Sequence, residues 1–395
     1  MATVEQALGT GVSFALSPEQ EALRALAREF AEREIRPRAA EYDERSTHPA
    51  DVIAKAHEVG LLNVHVPEEY GGTGLPIFDG MLIAEAFAWG CAGMTVSLTC
   101  NSLGSGPVVI AGSDEQKRRW LSPLLDEPIL CSFALSEPDA GSDVARIKTT
   151  ATRVGDEYVL NGSKMFISNA AHASWSTVFA STDRSKGHRG LSAFIVPMDA
   201  EGVVVEKHLD KMGQRSTDTS AFAMSDVKVP AANRLGEEGD GFKIAMQTLD
   251  GTRPGTAIGA VGVARAAFEY ACDYAKERVT FEVPIAMHQG VNFLIADMAT
   301  EIEAARLLVW QAAWMLDNGF GRKATIYSSF AKRFAADTAM KVTSDAVQVF
   351  GGYGYIKEYP VEKLMRDAKL FQIYEGTSQI QRLVIARELF LPSGE

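Results

Sequence analysis

The sequence contains no apolar run long enough to cross a lipid bilayer, no internal repeat and no stretch of low complexity. A membrane-spanning helix needs about 20 predominantly apolar residues, so we expect no membrane segment. Positive charge is also scarce, because 39 Lys and Arg residues face 51 Asp and Glu residues, giving a formal net charge of −12. Without a basic stripe, a nucleic acid would be repelled, and we expect no nucleic-acid partner.

Clusters of metal-binding or disulfide-forming residues are missing too. The chain has four cysteines, well separated: Cys91, Cys100, Cys131 and Cys272. None of them forms a close pair of the kind that binds metal or exchanges disulfides, and no two histidines have metal-ligand spacing, so we predict no metal. Residues 1–12 lack the layout of a secretory signal or transit peptide. Together with reduced thiols, this predicts a cytoplasmic protein.

What the chain does have is a change of texture at two places along its 395 residues, which suffice for more than one hydrophobic core. Helical spacing of apolar residues characterises residues 1–130 and returns in residues 241–395, whereas β-branched and aromatic runs dominate residues 131–240. We therefore predict an α+β fold that is mostly α. It would comprise an N-terminal helical domain, a middle antiparallel β-barrel or sheet domain and a C-terminal four-helix bundle.

Local signals predict where two helices begin. Ser17 is expected to cap the first helix, because Pro18 suits the first helical position and Gln20 can bond back to the cap. Ser378 and Gln381 have the spacing of a second capping box, which predicts that the last helix begins with Ser378 as its cap.

Turn chemistry and connectivity predict the form of the middle sheet. Asn161-Gly162 is a strong signal for a two-residue hairpin turn. The segment offers no crossover helix that would make its strands parallel. Both points favour an antiparallel sheet.

Three stretches resemble the acyl-CoA dehydrogenase family. They are LSEPDAGSD at residues 135–143, QVFGG at residues 348–352, and RD followed by IYEGT within residues 366–377. The likeness runs in order from about Phe14 to the C-terminus, without large gaps. It is closest to the short- and medium-chain members, which are homotetramers as a rule.

The resemblance implies FAD-dependent conversion of an acyl-CoA thioester to a trans-2-enoyl-CoA. Glu375 would take the α-proton and flavin N5 the β-hydride, and an electron-transferring flavoprotein would receive the electrons. Such a base needs an apolar pocket that raises its pKa, and the thioester oxygen needs donors. Considered alone, Glu375 is better interpreted as an acidic loop residue before a helix, where negative charge is favoured.

The resemblance also implies which residues contact FAD, partly across a subunit boundary. They are Phe133, Leu135, Ser136, Ser142, Phe166, Ile167, Ser168, Arg278, Thr280, Phe281, His288, Gln289, Gln348, Val349, Gly351, Gly352, Gly376, Thr377 and Gln379. The glycines at 351 and 352 follow a predicted helix, so they do not form the strand–turn–helix motif that binds dinucleotides.

This chain departs from many family members near the expected flavin. Phe166 stands where many have Trp, and Ser136 and Ser168 stand where many have Thr, which removes the β-branch that fixes the hydroxyl. Without the resemblance, both serines could be surface residues of strands. Glu282 replaces a usual Gly, which puts the local turn and the subunit interface in question.

The expected substrate contacts are Ser142, Asp250, Arg253, Tyr374, Gly376 and Arg387. Arg253 could bind a phosphate or, just before Pro254 at a helix start, could only hold Asp250. Arg387 could be an ordinary exposed residue, and the basic loop at residues 184–189 could meet the CoA 3′-phosphate or be a solvated charge run. The closed end of the acyl pocket is expected at residues 96–101.

Two other functions stay open on the sequence. An oxidase-like flavoenzyme on the same scaffold would pass its electrons to oxygen, since residues near the flavin do not settle oxygen access. A helical scaffold that has lost its flavin would be non-catalytic. The intact Glu375, Ser142 and Gly351-Gly352 argue against the second of these.

Overall fold

The structure, a computed structural model, describes residues 14–390. Residues 1–12, on which the expectation about targeting signals partly rests, lie outside the described residues. The first helix begins as predicted: Ser17 Oγ accepts a hydrogen bond from Gln20 N at 3.2 Å, and Gln20 Oε1 accepts one from Ser17 N at 3.0 Å. Pro18 occupies the first helical position.

Helices dominate the chain up to residue 126. They are α1 (Pro18–Phe30), α2 (Ala39–Arg45), α3 (Ala50–Glu58), α4 (Ile77–Gly90), α5 (Ala92–Ala111), α6 (Asp114–Leu121) and α7 (Pro123–Asp126). A short π-helical turn, Ala31–Ile35, continues α1 before Pro37. The N-terminal helical domain is thus confirmed.

Eight strands form one sheet in the middle of the chain. They are β1 (Leu130–Ala134), β2 (Thr150–Val154), β3 (Glu157–Ser168), β4 (Ala173–Ser181), β5 (Leu191–Pro197), β6 (Val203–His208), β7 (Thr219–Pro230) and β8 (Arg234–Leu235). Their order is β6-β7-β3-β2-β4-β5-β8, with β1 beside β4. Most neighbours are antiparallel, but β1 is parallel to β4, and β2 meets β4 in one parallel pair. The β2–β3 hairpin provides the crossover that a parallel pair requires, so no helix is needed.

The hairpin-turn prediction at Asn161-Gly162 is wrong. Both residues lie inside β3, and the chain turns instead at Gly155, where φ is 63°. Gly162 has φ of 150° at a register shift, and a Cβ there would lie 2.5 Å from Thr149 Oγ1. The close approach of Thr149 therefore explains this glycine. Asn161 bonds to Asp226 on the neighbouring strand and forms no turn.

The C-terminal part is again helical. Its elements are α8 (Gly241–Glu277), β9 (Val279–Thr280), β10 (Val283–Pro284), α9 (Gln289–Asp317), α10 (Arg322–Phe350), α11 (Val361–Phe371) and α12 (Ser378–Phe390). The four helices expected for the C-terminal bundle correspond to α8, α9, α10 and α12, whereas α11 is an additional helix. The mostly helical fold class with a middle β domain is confirmed.

The first and last helical segments share one hydrophobic core. Phe30 and Phe87 from the first belong to the same buried cluster as Val261 and Val309 from the last, and a separate cluster around Tyr158 fills the sheet. None of the helices within residues 14–390 is long and apolar enough to cross a membrane.

Arg366, from the RD pair that carries part of the resemblance, links all three segments. Its Nη2 lies 2.7 Å from Asp43 Oδ2, and its Nη1 donates to Met212 O at 3.0 Å. The next residue, Asp367, is fully buried, pairs with Lys363 at 2.6 Å and accepts from Gln214 N. These contacts anchor α11 and hence the chain that follows it.

Candidate active site

Glu375 lies in the connection between α11 and α12, where the backbone is strained. Its φ is 49° and that of Gly376 is 87°, so two successive residues adopt the left-handed region. Glycine adopts this region freely, whereas an L-residue does so at a cost of roughly 1–2 kcal/mol. Backbone strain of this kind concentrates at functional sites, which makes the turn a candidate site.

The Glu375 carboxylate is half-buried, and its Oε2 accepts a hydrogen bond from Thr252 Oγ1 at 3.0 Å. Burial raises the pKa of this carboxyl above its ordinary value. Hydrogen bonds from Thr256 and Thr252 lower the pKa, as do the positive charges of Lys332 and Arg253, but burial prevails. A carboxylate whose pKa is raised toward neutrality is a better proton acceptor.

Two side chains hold the main chain of this turn. Gln381 Nε2 donates to Glu375 O at 3.2 Å and to Gly376 O at 3.1 Å. Lys332 Nζ, from α10, donates to Gly376 O at 2.6 Å. The carbonyls of both strained residues therefore accept hydrogen bonds from side chains of α10 and α12.

The cap of the last helix is Thr377, and the prediction that Ser378 caps it is wrong. Thr377 Oγ1 accepts a hydrogen bond from Ile380 N at 3.1 Å. Ser378 is the first residue of α12, and its hydroxyl donates to Asp337 Oδ1 at 2.9 Å. The Gln381 side chain bonds to the preceding turn and is not available for a capping box.

Asp250 and Arg253 form a local ion pair near Glu375. Arg253 Nη1 bonds to Asp250 Oδ1, and Thr325 Oγ1 from α10 donates to Asp250 Oδ2 at 2.9 Å. Arg253 is buried, and with Pro254 it lies inside α8, so the expectation of a helix start there is wrong. Of the two roles considered for Arg253, binding a phosphate or holding Asp250, the structure shows the pairing with Asp250. Binding of substrate by either residue stays a prediction.

The two stretches expected along the flavin ring meet at the ends of β1 and β3. Met165 N donates to Ser136 O at 3.0 Å, which places the segment after β1 that contains Ser136 beside β3, whose last residue is Ser168. Phe166 sits in a register shift of β3 with φ of 62° and is 66% exposed, while Ile167 is buried. An exposed aromatic ring on a strained bulge, beside two serines, fits a planar cofactor.

Phe133 and Leu135 back this surface from inside. Both are buried in the cluster that packs the sheet against α5 and α8, and the Phe133 ring lies 4.9 Å from that of Phe179. Their side chains are core residues, so contact with the cofactor would involve main chain or the small fraction of side chain that stays exposed.

A buried ion pair beneath these stretches was missed by the sequence reasoning. Lys164 is fully buried, and its Nζ donates to Glu137 Oε1 at 2.8 Å, to Leu135 O at 3.3 Å and to Phe179 O at 2.7 Å. Period-two alternation along β3 places Lys164 on the same inward side as Tyr158 and Leu160, and this pattern could have found it. The pair ties the two expected flavin stretches together.

The expected dinucleotide contacts gather around the β9–β10 hairpin. Thr280 Oγ1 and His288 Nε2 are 3.1 Å apart, and Phe281, which is 90% exposed, packs edge-on against the His288 ring. Arg278 lies over the Tyr353 ring at 5.6 Å, beside the loop that contains Gly351 and Gly352. Gln289 is at the start of α9 and Gln348 is exposed near the end of α10, whereas the Val349 side chain is in the core.

The hairpin turn consists of Phe281 and Glu282, and both have positive φ, 51° and 69°. Two positive φ values are the geometry of a type I′ turn, which favours Asn-Gly, so Glu282 occupies a position that suits glycine. The hairpin therefore forms with Glu282 in place of the usual Gly, and the backbone of Glu282 is strained.

Replacing Glu282 by Gly is expected to stabilise the protein by about 0.5–1 kcal/mol, because the relief of left-handed strain exceeds the added freedom of the unfolded chain. The midpoint of urea unfolding measures it. Glu282→Ala is the matched control, since it removes the same charge but keeps the Cβ. Equal midpoints for the two variants would contradict the strain at this position.

The remaining expected contacts are distributed over the surface. Ser142 is exposed in the loop after β1, Gln379 is exposed in the first turn of α12, and Arg387 is exposed and donates to Glu388 at 3.1 Å. The Tyr374 ring packs against Phe371, and burial raises the pKa of its hydroxyl. The basic loop forms two short 3-10 turns within Arg184–Gly190, separated by a kink at Gly187, and the Ser185 hydroxyl donates to Asp183. Their ligand contacts stay predictions.

The expected closed end of the acyl pocket lies on α5. Burial raises the pKa of the Cys100 thiol to about 12, and the negative charge of Glu375 adds to the rise. This helix therefore lies within electrostatic range of the Glu375 carboxylate. Thr99 Oγ1 donates to Thr95 O at 2.8 Å, so its hydroxyl is satisfied within the helix. Among residues 14–390, no group of three or more His, Cys, Asp or Glu side chains is arranged to hold a metal ion.

Three family models match consecutive parts of the chain. They describe the N-terminal domain of acyl-CoA dehydrogenase at residues 17–128, its middle domain at residues 132–227 and its C-terminal domain at residues 239–390. The chain is 44% identical to the short-chain specific acyl-CoA dehydrogenase of Rattus norvegicus mitochondria over 95% of this chain and 91% of that protein.

Solved structures agree with this likeness. Butyryl-CoA dehydrogenase from Megasphaera elsdenii has a TM-score of 0.93 and 42% identity, covering 96% of this chain and 100% of that one. A chain from work on the electron transferring flavoprotein of Acidaminococcus fermentans has a TM-score of 0.94 and 43% identity, covering 96% of this chain and 100% of that one. This chain therefore belongs to the acyl-CoA dehydrogenase family of enzymes.

Proposed function

We propose that this enzyme catalyses FAD-dependent α,β-dehydrogenation of acyl-CoA thioesters, with Glu375 as the base that takes the α-proton. The observation that carries the proposal is the half-buried Glu375 carboxylate, whose pKa is raised by burial, on a strained turn between two helices. An α-proton of a thioester is weakly acidic, so its removal calls for a base of raised pKa held in place.

The main chain of the same turn supports polarisation of the thioester. Within residues 14–390, the N–H of Glu375 donates to no protein acceptor, although the N–H of the preceding Tyr374 donates to Leu370 O at 3.1 Å. A free N–H beside the base can donate to the thioester oxygen as negative charge develops there. Glu375 would then supply both the base and one oxyanion donor.

The strand ends supply a surface that fits FAD. Phe166 would cover one face of the flavin ring, and the hydroxyls of Ser136 and Ser168 would donate to its polar edge, while the β9–β10 hairpin and Gly351-Gly352 would hold the dinucleotide half of a neighbouring subunit's cofactor. FAD, when bound, supplies the acceptor for the β-hydride. The protein's part is to position the substrate and to hold the proton at the Glu375 carboxylate.

Anaerobic titration with acyl-CoAs tests this function. The purified protein is expected to be yellow, and a panel of straight, branched and cyclic acyl-CoAs should include one that bleaches its absorbance. The rates of bleaching across the panel also show which acyl shape the enzyme prefers. Acyl-CoAs that lack an α-hydrogen serve as controls. Yellow protein that no acyl-CoA bleaches would contradict the proposal.

The same experiment separates the two alternatives. Fast recolouring when air is admitted would indicate an oxidase-like enzyme, whereas a dehydrogenase should recolour slowly in air and quickly with an electron-transferring flavoprotein. Colourless protein that cannot be reconstituted with FAD would indicate a non-catalytic scaffold. The similarity to a chain studied with the flavoprotein of Acidaminococcus fermentans supports the flavoprotein as acceptor.

A homotetramer is part of the proposal. Large apolar side chains are exposed on and beside the β9–β10 hairpin, including Phe281 at 90%, Met287 at 70% and Phe293 at 61%. Exposed apolar groups clustered in this way are typical of a protein–protein interface. Sedimentation equilibrium is expected to give four times the 42.7 kDa mass of the chain.

A further inference from the structure

Lys332 is a buried charged residue whose side chain makes one hydrogen bond to the protein within residues 14–390, and that bond goes to the residue that follows the candidate base. It lies on α10, its side chain has no exposed surface, and its Nζ donates to the carbonyl of Gly376 at 2.6 Å. Gly376 follows Glu375 directly in the strained turn. The ammonium thus acts on the peptide unit adjacent to the base.

This turn depends on outside support. Its two residues have φ of 49° and 87°, a pair that the chain does not adopt without compensating contacts when the first is a glutamate. Gln381 contacts both carbonyls, but at 3.2 and 3.1 Å, longer than the 2.6 Å bond from Lys332. Charge-assisted hydrogen bonds are the shorter and stronger kind, so Lys332 is the firmer of the two braces.

A neutral donor would suffice to hold a carbonyl, so the charge of Lys332 requires a separate reason. Burying an ammonium is costly unless an opposite charge compensates. Burial lowers the pKa of Lys332 to about 8, and the charge of Glu375 is the leading effect that opposes the fall. Reciprocally, Lys332 is the first of the nearby charges that lower the pKa of Glu375. The two groups are electrostatic partners across the turn.

Other groups face the carboxylate as well. Those that influence it, or are influenced by it, are Arg253, Thr252 and Thr256 on α8, Cys100 on α5, Lys332 on α10 and the adjacent Tyr374. Arg253 is the other cation, but it is already paired with Asp250. Lys332 has no carboxylate within salt-bridge distance in the described part of the chain, and the charge of Glu375 raises its pKa more than that of Asp337 on the same helix does.

We propose that Lys332 is a positioning residue for Glu375: its ammonium fixes the carbonyl of the turn, so that the carboxylate is aimed into the site, and it places a buried positive charge within electrostatic range of that carboxylate. The proposal rests on the function proposed above. It differs from a merely structural tether between α10 and the turn, because a tether would affect stability without changing how the base titrates.

The test is Lys332→Met, which keeps an unbranched side chain only one atom shorter and removes its charge and donor. Flavin reduction at saturating acyl-CoA is expected to slow about 100-fold, since small misplacement of a catalytic group has effects of that size. The acidic limb of the pH–rate profile should move to higher pH, because loss of a nearby cation raises the pKa of Glu375. Above about pH 8, where wild-type Lys332 loses its own charge, the electrostatic part of the difference should disappear, whereas the part due to the position of the turn should remain, because a neutral amine still donates to the Gly376 carbonyl.

A readout without turnover accompanies the kinetics. Amide hydrogen exchange at Ser378, whose N–H donates to Gln372 O at 3.0 Å across the turn, should be faster in Lys332→Met than in wild type, because the turn has lost its brace. Ala335→Gly is the matched control: it destabilises the same helix one turn away but removes neither a charge nor a hydrogen-bond donor. It should lower the unfolding midpoint and leave the pH–rate profile unchanged.

The outcomes separate this proposal from the function on which it rests. If Glu375→Gln abolishes flavin reduction while Lys332→Met reduces its flavin at the wild-type rate and with the wild-type pH profile, the role of Lys332 is overturned and the base stands. If Glu375→Gln reduces its flavin normally, the proposed function itself fails. Should Lys332→Met not fold, Lys332→Arg keeps the charge, and a displaced acidic limb in that variant would overturn the proposal.

Discussion

Replacing Glu375 by glutamine is expected to slow flavin reduction by acyl-CoA by on the order of 10⁴-fold while leaving FAD and acyl-CoA bound. Glutamine has the same shape and can still accept from Thr252, whose hydroxyl lies 3.0 Å from the carboxylate. It cannot take up a proton, because an amide has no basic site at neutral pH. Rapid mixing with acyl-CoA under anaerobic conditions, followed at the flavin absorbance, measures the effect.

Glu303→Gln is a suitable control for charge alone. Glu303 is an exposed residue of α9 that pairs with Arg306, so its replacement removes the same negative charge far from the turn. Flavin reduction by this variant should equal that of wild type. Near-normal reduction by Glu375→Gln would refute the assignment of the base, and loss of bound FAD in that variant would show that the side chain serves the fold rather than the chemistry.

The helices of this protein could be predicted because periodicity records burial. In α9, the apolar residues at helical spacing are buried: Met298, Ile302, Ala305, Val309 and Ala312. Local chemistry was less reliable where tertiary contacts took over. Asn161-Gly162 reads as a turn, but a close neighbour requires glycine inside the strand, and Ser378 reads as a cap, but its hydroxyl bonds to Asp337.

The site was predicted from the likeness of its stretches and not from any pattern. Glu375 alone reads as an acid before a helix, since neither its positive φ nor the burial of its carboxylate is encoded in neighbouring residues. Lys332 did leave a signal: it lies at helical spacing with Ala335 and Ala339, which are buried on the core side of α10. A lysine on the apolar face of a helix calls for a partner, and only the fold identifies that partner as the carbonyl of Gly376.

Lys164→Met is expected to have the largest effect on stability, lowering the free energy of unfolding by about 3–5 kcal/mol. The variant leaves Glu137 as a buried carboxylate without its cation. Burial alone would raise the pKa of Glu137. The charge of Lys164, together with hydrogen bonds from Lys164, Thr149 and the Lys148 N–H, holds this pKa below its ordinary value. Urea unfolding at neutral pH measures the loss.

The pH dependence of this loss follows from the sign of the Glu137 shift. In wild type the pKa of Glu137 is lowered, so the carboxylate contributes stability at neutral pH that is lost as pH falls through its folded pKa. In Lys164→Met burial prevails and the pKa rises, so the carboxyl takes up a proton already in mildly acidic solution. The difference between variant and wild type should therefore be largest near neutral pH and shrink as pH falls.

Two further variants decide whether the pair or the single charge matters. Glu137→Gln combined with Lys164→Met removes both charges and should recover much of the lost stability, since an uncompensated buried charge is worse than none. Lys148→Met is the matched surface control, because its 2.6 Å pair with Asp139 is exposed and should contribute less than about 1 kcal/mol.

Lys164→Met should also lower the affinity for FAD, because Lys164 joins the two stretches that are expected along the flavin ring. Its Nζ donates to Leu135 O at 3.3 Å, and the next residue, Met165, donates to Ser136 O at 3.0 Å. Without the ammonium, the Phe166 bulge loses its link to Leu135 and keeps the Met165 bond to Ser136, so the affinity for FAD should fall in Lys164→Met and in the double variant alike. Equal FAD affinity in Lys164→Met, the double variant and wild type would show that the ion pair supports the sheet but not the cofactor surface.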